Sequence, residues 1–169
     1  MPFPNFEGKH AHDALFTPQD LIAYRQKQGR LLDFSPPKGV ILCYQSSLLA
    51  YILEVEEVER QKVGPGDFYL LKRTGNRVGV YGSFGIGAPV AAVVLEDLIA
   101  LGTTEFINIG TAGGLQKPQQ IGDIVVCSQA IRDEGVSYHY RAPAPHAQPS
   151  AVLTDRLKEA LTRAAVPYT

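Results

Sequence analysis

The chain has 169 residues, enough for one domain with a hydrophobic core, and 45% of them are hydrophobic. Its formal net charge is −1, and no stretch concentrates lysine and arginine, which argues against nucleic acid or an anionic membrane as partner. We find no leader pattern and no apolar segment that could cross a bilayer, so the default location is cytoplasmic. Cys43 and Cys127 lie in apolar runs and predict no disulfide.

The first half of the chain predicts a helix, a strand, a second helix and a hairpin. Thr17 begins the first helix as a cap, with Asp20 at the third helical position, and Gly29 ends it. In chain order the predicted elements are a helix over 17–29, a strand over 39–44, a helix over 45–55, and hairpin strands over 68–72 and 77–81.

The second half predicts a helix between Pro89 and Gly102, with Glu96 and Asp97 facing away from its apolar stripe. Strands over 105–109 and 124–127 follow, and then a helix capped by Ser150. A strand, a helix and a strand in succession indicate a parallel crossover. A helix on a parallel sheet normally returns to another strand, and here that segment has barely begun, so we expect an incomplete domain.

Two predicted strands end in glycine-rich turns, at residues 82–89 (GSFGIGAP) and 110–114 (GTAGG). In a parallel sheet such ends face one crevice, where bare backbone lets a ligand approach the N–H groups. The pair predicts a small-molecule pocket. Neither turn matches a dinucleotide fingerprint or a P-loop.

Three other groups of residues allow alternative interpretations. Ser83 lies in a turn similar to a nucleophile elbow, and Asp133 and His146 follow in the order of a hydrolase triad, but the leading glycine is missing. His10, His12 and Asp13 have a chelating spacing, but as one small cluster they predict a solvated arm as readily as a metal site. The charged, aromatic segment at residues 132–140 suits a functional loop or a structural turn equally.

Residues 82–89, 106–116 and 121–126 together resemble the nucleoside phosphorylase superfamily, which includes uridine phosphorylases, purine nucleoside phosphorylases and nucleosidases. Residues 132–140 (RDEGVSYHY) are most similar to the uridine phosphorylase branch. The resemblance implies an α/β three-layer sandwich of helices around a mixed, largely parallel sheet, incomplete at the C-terminus. We expect an N-terminal arm and helix over residues 1–37 and a partial domain of this type over 38–169.

The resemblance also implies roles for individual residues. Substrate binding would fall to the two turns and the end of the strand between them, and His12 or His10 would reach the ribose in a neighbouring subunit. Gln45 and Thr111 would lie where the nucleophile binds. The implied substrate-binding residues are Ser83, Phe84, Gly85, Asn108, Thr111, Ala112 and Gly113.

The residues at the expected position of the nucleophile do not decide whether it is phosphate or water. Phosphorylases of this type hold phosphate with three arginines, and here those positions fall within residues 43–48, at Asn108 and near Pro65. Lys72 or Arg73 would compensate if the hairpin bends toward the site. Asn108 favours the nucleosidase branch, yet Gln45 cannot serve as the base that hydrolysis needs.

The sequence therefore predicts a pentosyltransferase that cleaves the N-glycosidic bond of a nucleoside by phosphorolysis, with no cofactor, no metal, and phosphate as co-substrate. A nucleosidase and a non-catalytic nucleoside-binding protein are the alternatives. The catalytic residues are expected beyond Thr169, so we expect the isolated chain to be inactive. The implied partners are a nucleoside and copies of the same chain, in a dimer or hexamer.

Overall fold

The computed structural model describes residues 8–29, 34–116 and 118–169. The chain forms two compact units. The sheet unit is Asp13–Thr111, and the ribbon unit is Ala112–Thr169 with the described residues up to His12. The N-terminal segment expected over residues 1–37 includes residues outside this description, and its boundary with 38–169 stays a prediction.

The sheet unit contains a five-stranded mixed sheet in the order β2-β3-β4-β1-β5. Strands β1, β4 and β5 are parallel, while β2, β3 and β4 form an antiparallel meander. The strands are β1 (Gly39–Cys43), β2 (Val58–Gln61), β3 (Asp67–Leu71), β4 (Val78–Gly82) and β5 (Glu105–Ile109). All of them except β2 were expected from the sequence.

Helices pack on both faces of this sheet, because successive strand residues point to opposite sides. Leu42 belongs to a core cluster with Leu98 of helix α3, and Cys43 belongs to a second cluster with Leu49 of helix α2. Helix α1 packs on α3. The helices are α1 (Pro18–Lys27), α2 (Ser46–Val55) and α3 (Ala88–Leu101). The α/β sandwich class is confirmed.

The helix ends follow the sequence closely. Thr17 and Asp20 form a reciprocal capping box at the start of α1, and Gly102 ends α3 in the left-handed conformation. The prediction for Asp97 was wrong in part, because this side chain is partly buried rather than turned to solvent, and burial raises the pKa of its carboxyl group.

The ribbon unit contains the two-stranded antiparallel ribbon of β6 (Ala130–Ile131) and β7 (His146–Ala147), followed by helix α4 (Ala151–Arg163). The strand predicted over residues 124–127 is not formed. Among the described residues its backbone pairs with Thr169 alone, which donates to the Ile124 carbonyl at 3.0 Å and accepts from the Val126 N–H at 2.8 Å. Val125 is 54% exposed, so this apolar run is not packed as a strand of a buried sheet would be. Within the described ranges, no helix has the length and apolarity needed to span a membrane.

Candidate functional site

The carboxyl ends of the three parallel strands are aligned in register. Cys43 at the end of β1 lies opposite Gly82 of β4 on one side and Ile109 of β5 on the other. Both glycine-rich turns therefore leave the sheet at the same end, separated by the width of β1, or about 10 Å as two interstrand spacings. The prediction that both turns leave the sheet at one end is confirmed, and the small-molecule pocket expected there stays a prediction.

Tyr44 occupies the gap between the two turns. Its N–H donates to the Ile109 carbonyl at 3.1 Å, which extends the β1–β5 pairing past the strand. Its ring packs edge-on against Phe84 with ring centroids 4.9 Å apart, and its Cβ lies 3.7 Å from where a Cβ on Gly110 would stand. Sequence reasoning missed Tyr44, although an aromatic residue directly after a buried parallel strand is a usable signal.

The first turn directs one predicted residue inward and two outward. Phe84 is only 6% exposed, because its ring packs between Tyr44 and Tyr81. Ser83 and Gly85 are exposed, and both have positive φ, of 56° and 98°. A serine in the left-handed region carries strain, which the packing of Phe84 offsets. The turn thus offers a ligand the Ser83 hydroxyl and bare backbone, and very little of the Phe84 ring.

The end of β5 presents polar groups to solvent. Asn108 lies opposite the buried Leu42 in register, so its side chain is on the face covered by α3, yet it is exposed. Thr111 is also exposed. Ala112 and Gly113 begin the ribbon unit and are likewise exposed.

Two helices begin at this end of the sheet. Gln45 precedes α2 and Gly87 precedes α3, and neither helix has a side-chain cap at its N-terminus. Uncapped N–H groups leave the positive end of each helix dipole available to polar or anionic groups. Gln45 is half-buried, and its carbonyl accepts from the Cys43 thiol at 3.3 Å.

The cations of the hairpin lie at the opposite end of the sheet. Lys72 and Arg73 follow β3 and precede β4, about 13 Å from the first glycine turn along β4. They pair with Glu57 and Glu56 at 2.7 and 2.9 Å. The suggestion that either could compensate for the absent arginines is therefore wrong.

Arg60 is a cation nearer to the turns, and it is already paired. Its partner Asp67, at 2.6 Å, lies opposite Gly82 in the β3–β4 register. A paired guanidinium has part of its charge neutralised, so Arg60 is a weak candidate for binding phosphate.

In the ribbon unit, the segment at residues 132–142 is held by its own side chains. Arg132 is 9% exposed, donates to the Ser137 hydroxyl at 2.8 Å and to the Ala142 carbonyl at 2.7 Å, and stacks 4.7 Å from the centre of the Tyr138 ring. Glu134 accepts from the Ser137 hydroxyl and N–H, which lowers the pKa of its carboxyl group. These contacts favour the structural interpretation of the segment.

The alternative sites gain little from the structure. Ser83 belongs to the sheet unit, whereas Asp133 and His146, the remaining residues of the suggested triad, are exposed in the ribbon unit. The Lys9 ammonium donates to His139 Nε2 at 3.2 Å. Within residues 8–29, 34–116 and 118–169, no three His, Cys, Asp or Glu side chains come together as metal ligands, His10 and His12 included.

An open depression of about 550 Å³ lies along α4. None of its lining residues was predicted as a site, and its walls carry both charge signs without a buried polar group. The lining residues are Asp155, Lys158, Glu159, Thr162, Arg163 and Tyr168.

Comparison with known families decides the chain's membership. The family model described as Phosphorylase superfamily matches residues 40–169, which is more than half of the chain and includes both glycine-rich turns. The chain belongs to the phosphorylase superfamily. The resemblance seen in the sequence is confirmed.

Individual relatives match parts of this phosphorylase-superfamily chain. Uridine phosphorylase of Treponema pallidum (strain Nichols) is 42% identical over 78 residues, which are 46% of this chain and 30% of that protein. Uridine phosphorylase from Vibrio fischeri ES114 superposes with a TM-score of 0.69 at 29% identity, over 79% of this chain and 56% of that one.

A nucleosidase also shares the structure. The 5'-methylthioadenosine/S-adenosylhomocysteine nucleosidase from Neisseria meningitidis has a TM-score of 0.61 at 25% identity, over 75% of this chain and 58% of that one. The phosphorylase-superfamily chain thus spans under two thirds of the length of each of these three relatives.

Proposed function

We propose that this chain contributes to cleavage of the N-glycosidic bond of a nucleoside, with phosphate as nucleophile. The observation that carries the proposal is the alignment of Cys43 with Gly82 and Ile109, which sets both glycine-rich turns beside one aromatic residue, Tyr44. The uridine phosphorylase relatives support the same reaction.

In this reaction the main task of the protein is to hold the two reactants in place. As the bond between the base and C1′ breaks, positive charge develops on the ribose and negative charge on the base. The nucleophile then forms a new bond to C1′, and the base takes up a proton. In this proposal Asn108, Ser83 and the Gly85 backbone hold the nucleoside, while Thr111 contacts the ribose beside the nucleophile. Rigid placement of the two reactants supplies much of the acceleration.

Among the residues that the structure describes in the sheet unit, few cations stand at this end of the sheet to bind phosphate, which is why hydrolysis is kept as a second candidate. Lys72 and Arg73 lie at the other end, and Arg60 is paired with Asp67. The N-termini of α2 and α3 remain as sources of positive potential. The nucleosidase similarity supports water as the alternative nucleophile.

The first experiment measures binding and cleavage separately. Isothermal titration of the 169-residue chain with uridine is expected to show binding, and Thr111→Ala is expected to weaken it. Thr104→Ala is the matched control, since Thr104 is an exposed threonine at the other end of β5. Equal affinities in all three proteins would remove Thr111 from the site, and no binding of uridine, guanosine or adenosine would contradict the proposal.

The second experiment identifies the nucleophile. The complete gene product is incubated with uridine, with and without phosphate, and free uracil is measured by chromatography. Phosphate-dependent release supports phosphorolysis, and phosphate-independent release supports hydrolysis. Binding without any release supports a non-catalytic nucleoside-binding protein.

The proposal extends to assembly. We expect a homo-oligomer in which His12 or His10 reaches a neighbouring copy, and sedimentation analysis tests this expectation. A monomer that still binds uridine with full affinity would contradict the role of these histidines.

A further inference from the structure

Tyr44 packs against the core of the sheet unit, but its hydroxyl takes no part in that packing. The residue is half-buried, so part of its side chain remains accessible beside the turns. Its hydroxyl makes no hydrogen bond to any of the residues that the structure describes, unlike the buried Tyr81, whose hydroxyl donates to the Val63 carbonyl at 2.6 Å.

The neighbours of Tyr44 fix the position of its ring. Phe84 contacts it edge-on on one side, at 4.9 Å between ring centroids and an interplanar angle of 73°. On the other side Gly110 has no side chain, and a Cβ there would lie 3.8 Å from Tyr44 Cδ2. The backbone of Tyr44 is fixed as well, by the hydrogen bond to the Ile109 carbonyl. A ring that packs on Phe84 and belongs to a paired backbone needs little further ordering when it binds a ligand, and Gly110 places no side chain against its other side.

The chemistry of this side chain suits a neutral ligand. Burial raises the pKa of the Tyr44 hydroxyl, so the group stays protonated and can both donate and accept a hydrogen bond at neutral pH. An aromatic ring whose hydroxyl has no partner among the described residues matches a nucleoside, which combines a flat base with the hydroxyl groups of the sugar.

We propose that Tyr44 is a substrate-contacting residue that packs its ring on the nucleoside and hydrogen-bonds it through the hydroxyl. This inference rests on the proposed function, since it names the aromatic contact of the same site. Phe84, which the sequence suggested for this place, supports the Tyr44 ring from behind.

The test uses the full chain and isothermal titration with uridine. Tyr44→Phe removes only the hydroxyl, and its dissociation constant is expected to rise about 5- to 10-fold. Tyr44→Leu also removes the aromatic surface and is expected to weaken binding further. Tyr69→Phe is the matched control, because Tyr69 is a half-buried tyrosine of the same sheet away from the turns, and its affinity is expected to equal that of the wild type.

A spectroscopic measurement separates ligand contact from a purely structural role. In protein with ring-labelled tyrosine, the resonance of Tyr44 is the one that is missing from Tyr44→Phe. Uridine is expected to shift this resonance and to leave that of Tyr69 unchanged. Titrations with uracil and with ribose show which part of the ligand causes the shift.

The outcomes distinguish this inference from the proposed function. If Tyr44→Phe and Tyr44→Leu bind uridine with wild-type affinity and the Tyr44 resonance does not shift, the inference is wrong and the proposed function is unaffected. Absence of nucleoside binding in the wild type would overturn both. Circular dichroism and thermal melting of each variant establish that it is folded, and Tyr44→Phe keeps the packing of the ring.

Discussion

The hydroxyl of Tyr81 donates a hydrogen bond to the carbonyl of Val63 in the interior of the sheet unit. The Gly66 N–H donates to the same hydroxyl at 3.3 Å, so one side chain of β4 holds both ends of the loop between β2 and β3. Burial raises the pKa of this hydroxyl and keeps it neutral. One phenol therefore supplies a hydrogen bond near each end of this loop, in addition to the core packing of Val63.

Tyr81→Phe is expected to lower the free energy of unfolding by about 1–3 kcal/mol, because the Val63 carbonyl loses its partner in a dry environment. Urea denaturation followed by circular dichroism measures the change. Tyr24→Phe, at a tyrosine that is 59% exposed, is the control and is expected to have almost no effect. Equal effects of the two substitutions would show that the bond to Val63 contributes nothing.

Gly79→Ala is expected to destabilise the sheet unit by about 1–3 kcal/mol through overpacking. The new Cβ would lie 2.6 Å from Phe68 Cε2, in a ring that is 0% exposed and has no room to turn. Gly39→Ala is the matched change on the neighbouring strand, where the nearest atoms are 3.7 Å away. Thermal melting compares the two variants, and an equal melting temperature would contradict the expected clash.

The Glu134–Ser137 contact is expected to be lost in acid. Its hydrogen bonds lower the pKa of the Glu134 carboxyl below the ordinary 4.5, so they stabilise the segment fully above that pH. This stabilisation disappears as the pH falls through the lowered pKa. The Ser137 amide resonance, followed from pH 6 to pH 2, is expected to shift with a midpoint below 4.5. Glu134→Gln should abolish that shift, and a midpoint at or above 4.5 would contradict the contact.

Lys72→Met and Arg73→Met are expected to leave nucleoside affinity and the response to phosphate within about twofold of wild type. Both cations lie at the amino end of β4 and pair with glutamates, and charges that distant are screened at physiological salt. Titration with uridine, and with phosphate in the cleavage assay, measures the effect. A tenfold loss of phosphate response in either variant would mean that the hairpin reaches the site.

Much of the sheet unit follows from local sequence signals. The capping box of Thr17 and Asp20, the apolar run of β1, and the stop at Gly102 each depend on residues close together in the chain. Strand β2 was missed because Val58 is its only apolar residue. An edge strand can be polar, and this one is held by pairing with β3 and by the Arg60–Asp67 ion pair.

The errors concern partners that are distant in the chain. Residues 124–127 are as apolar as a buried strand, but a strand also needs a neighbour, and local pattern carries no information about which neighbour is present. The place of Tyr44 directly after β1 was a usable signal, but its packing on Phe84 and its nearness to Gly110 arise only when three strands align. The joint position of the turns was predictable, whereas the packing of the aromatic ring between them was not.

The sheet contains two kinds of strand pairs, which differ in how far apart the paired residues lie in the chain. The meander β2-β3-β4 joins neighbours in sequence, while Gly39 pairs with Val78 and with Glu105 far downstream. Closing long loops costs more entropy before any contact is gained, so we expect the meander to gain order first and β1 to be inserted between β4 and β5 late in folding. Pulse-labelled hydrogen exchange should then protect the Leu70 amide before that of Leu42, and the reverse order would exclude this route. The aligned strand ends would thus be the last part of the sheet unit to assemble.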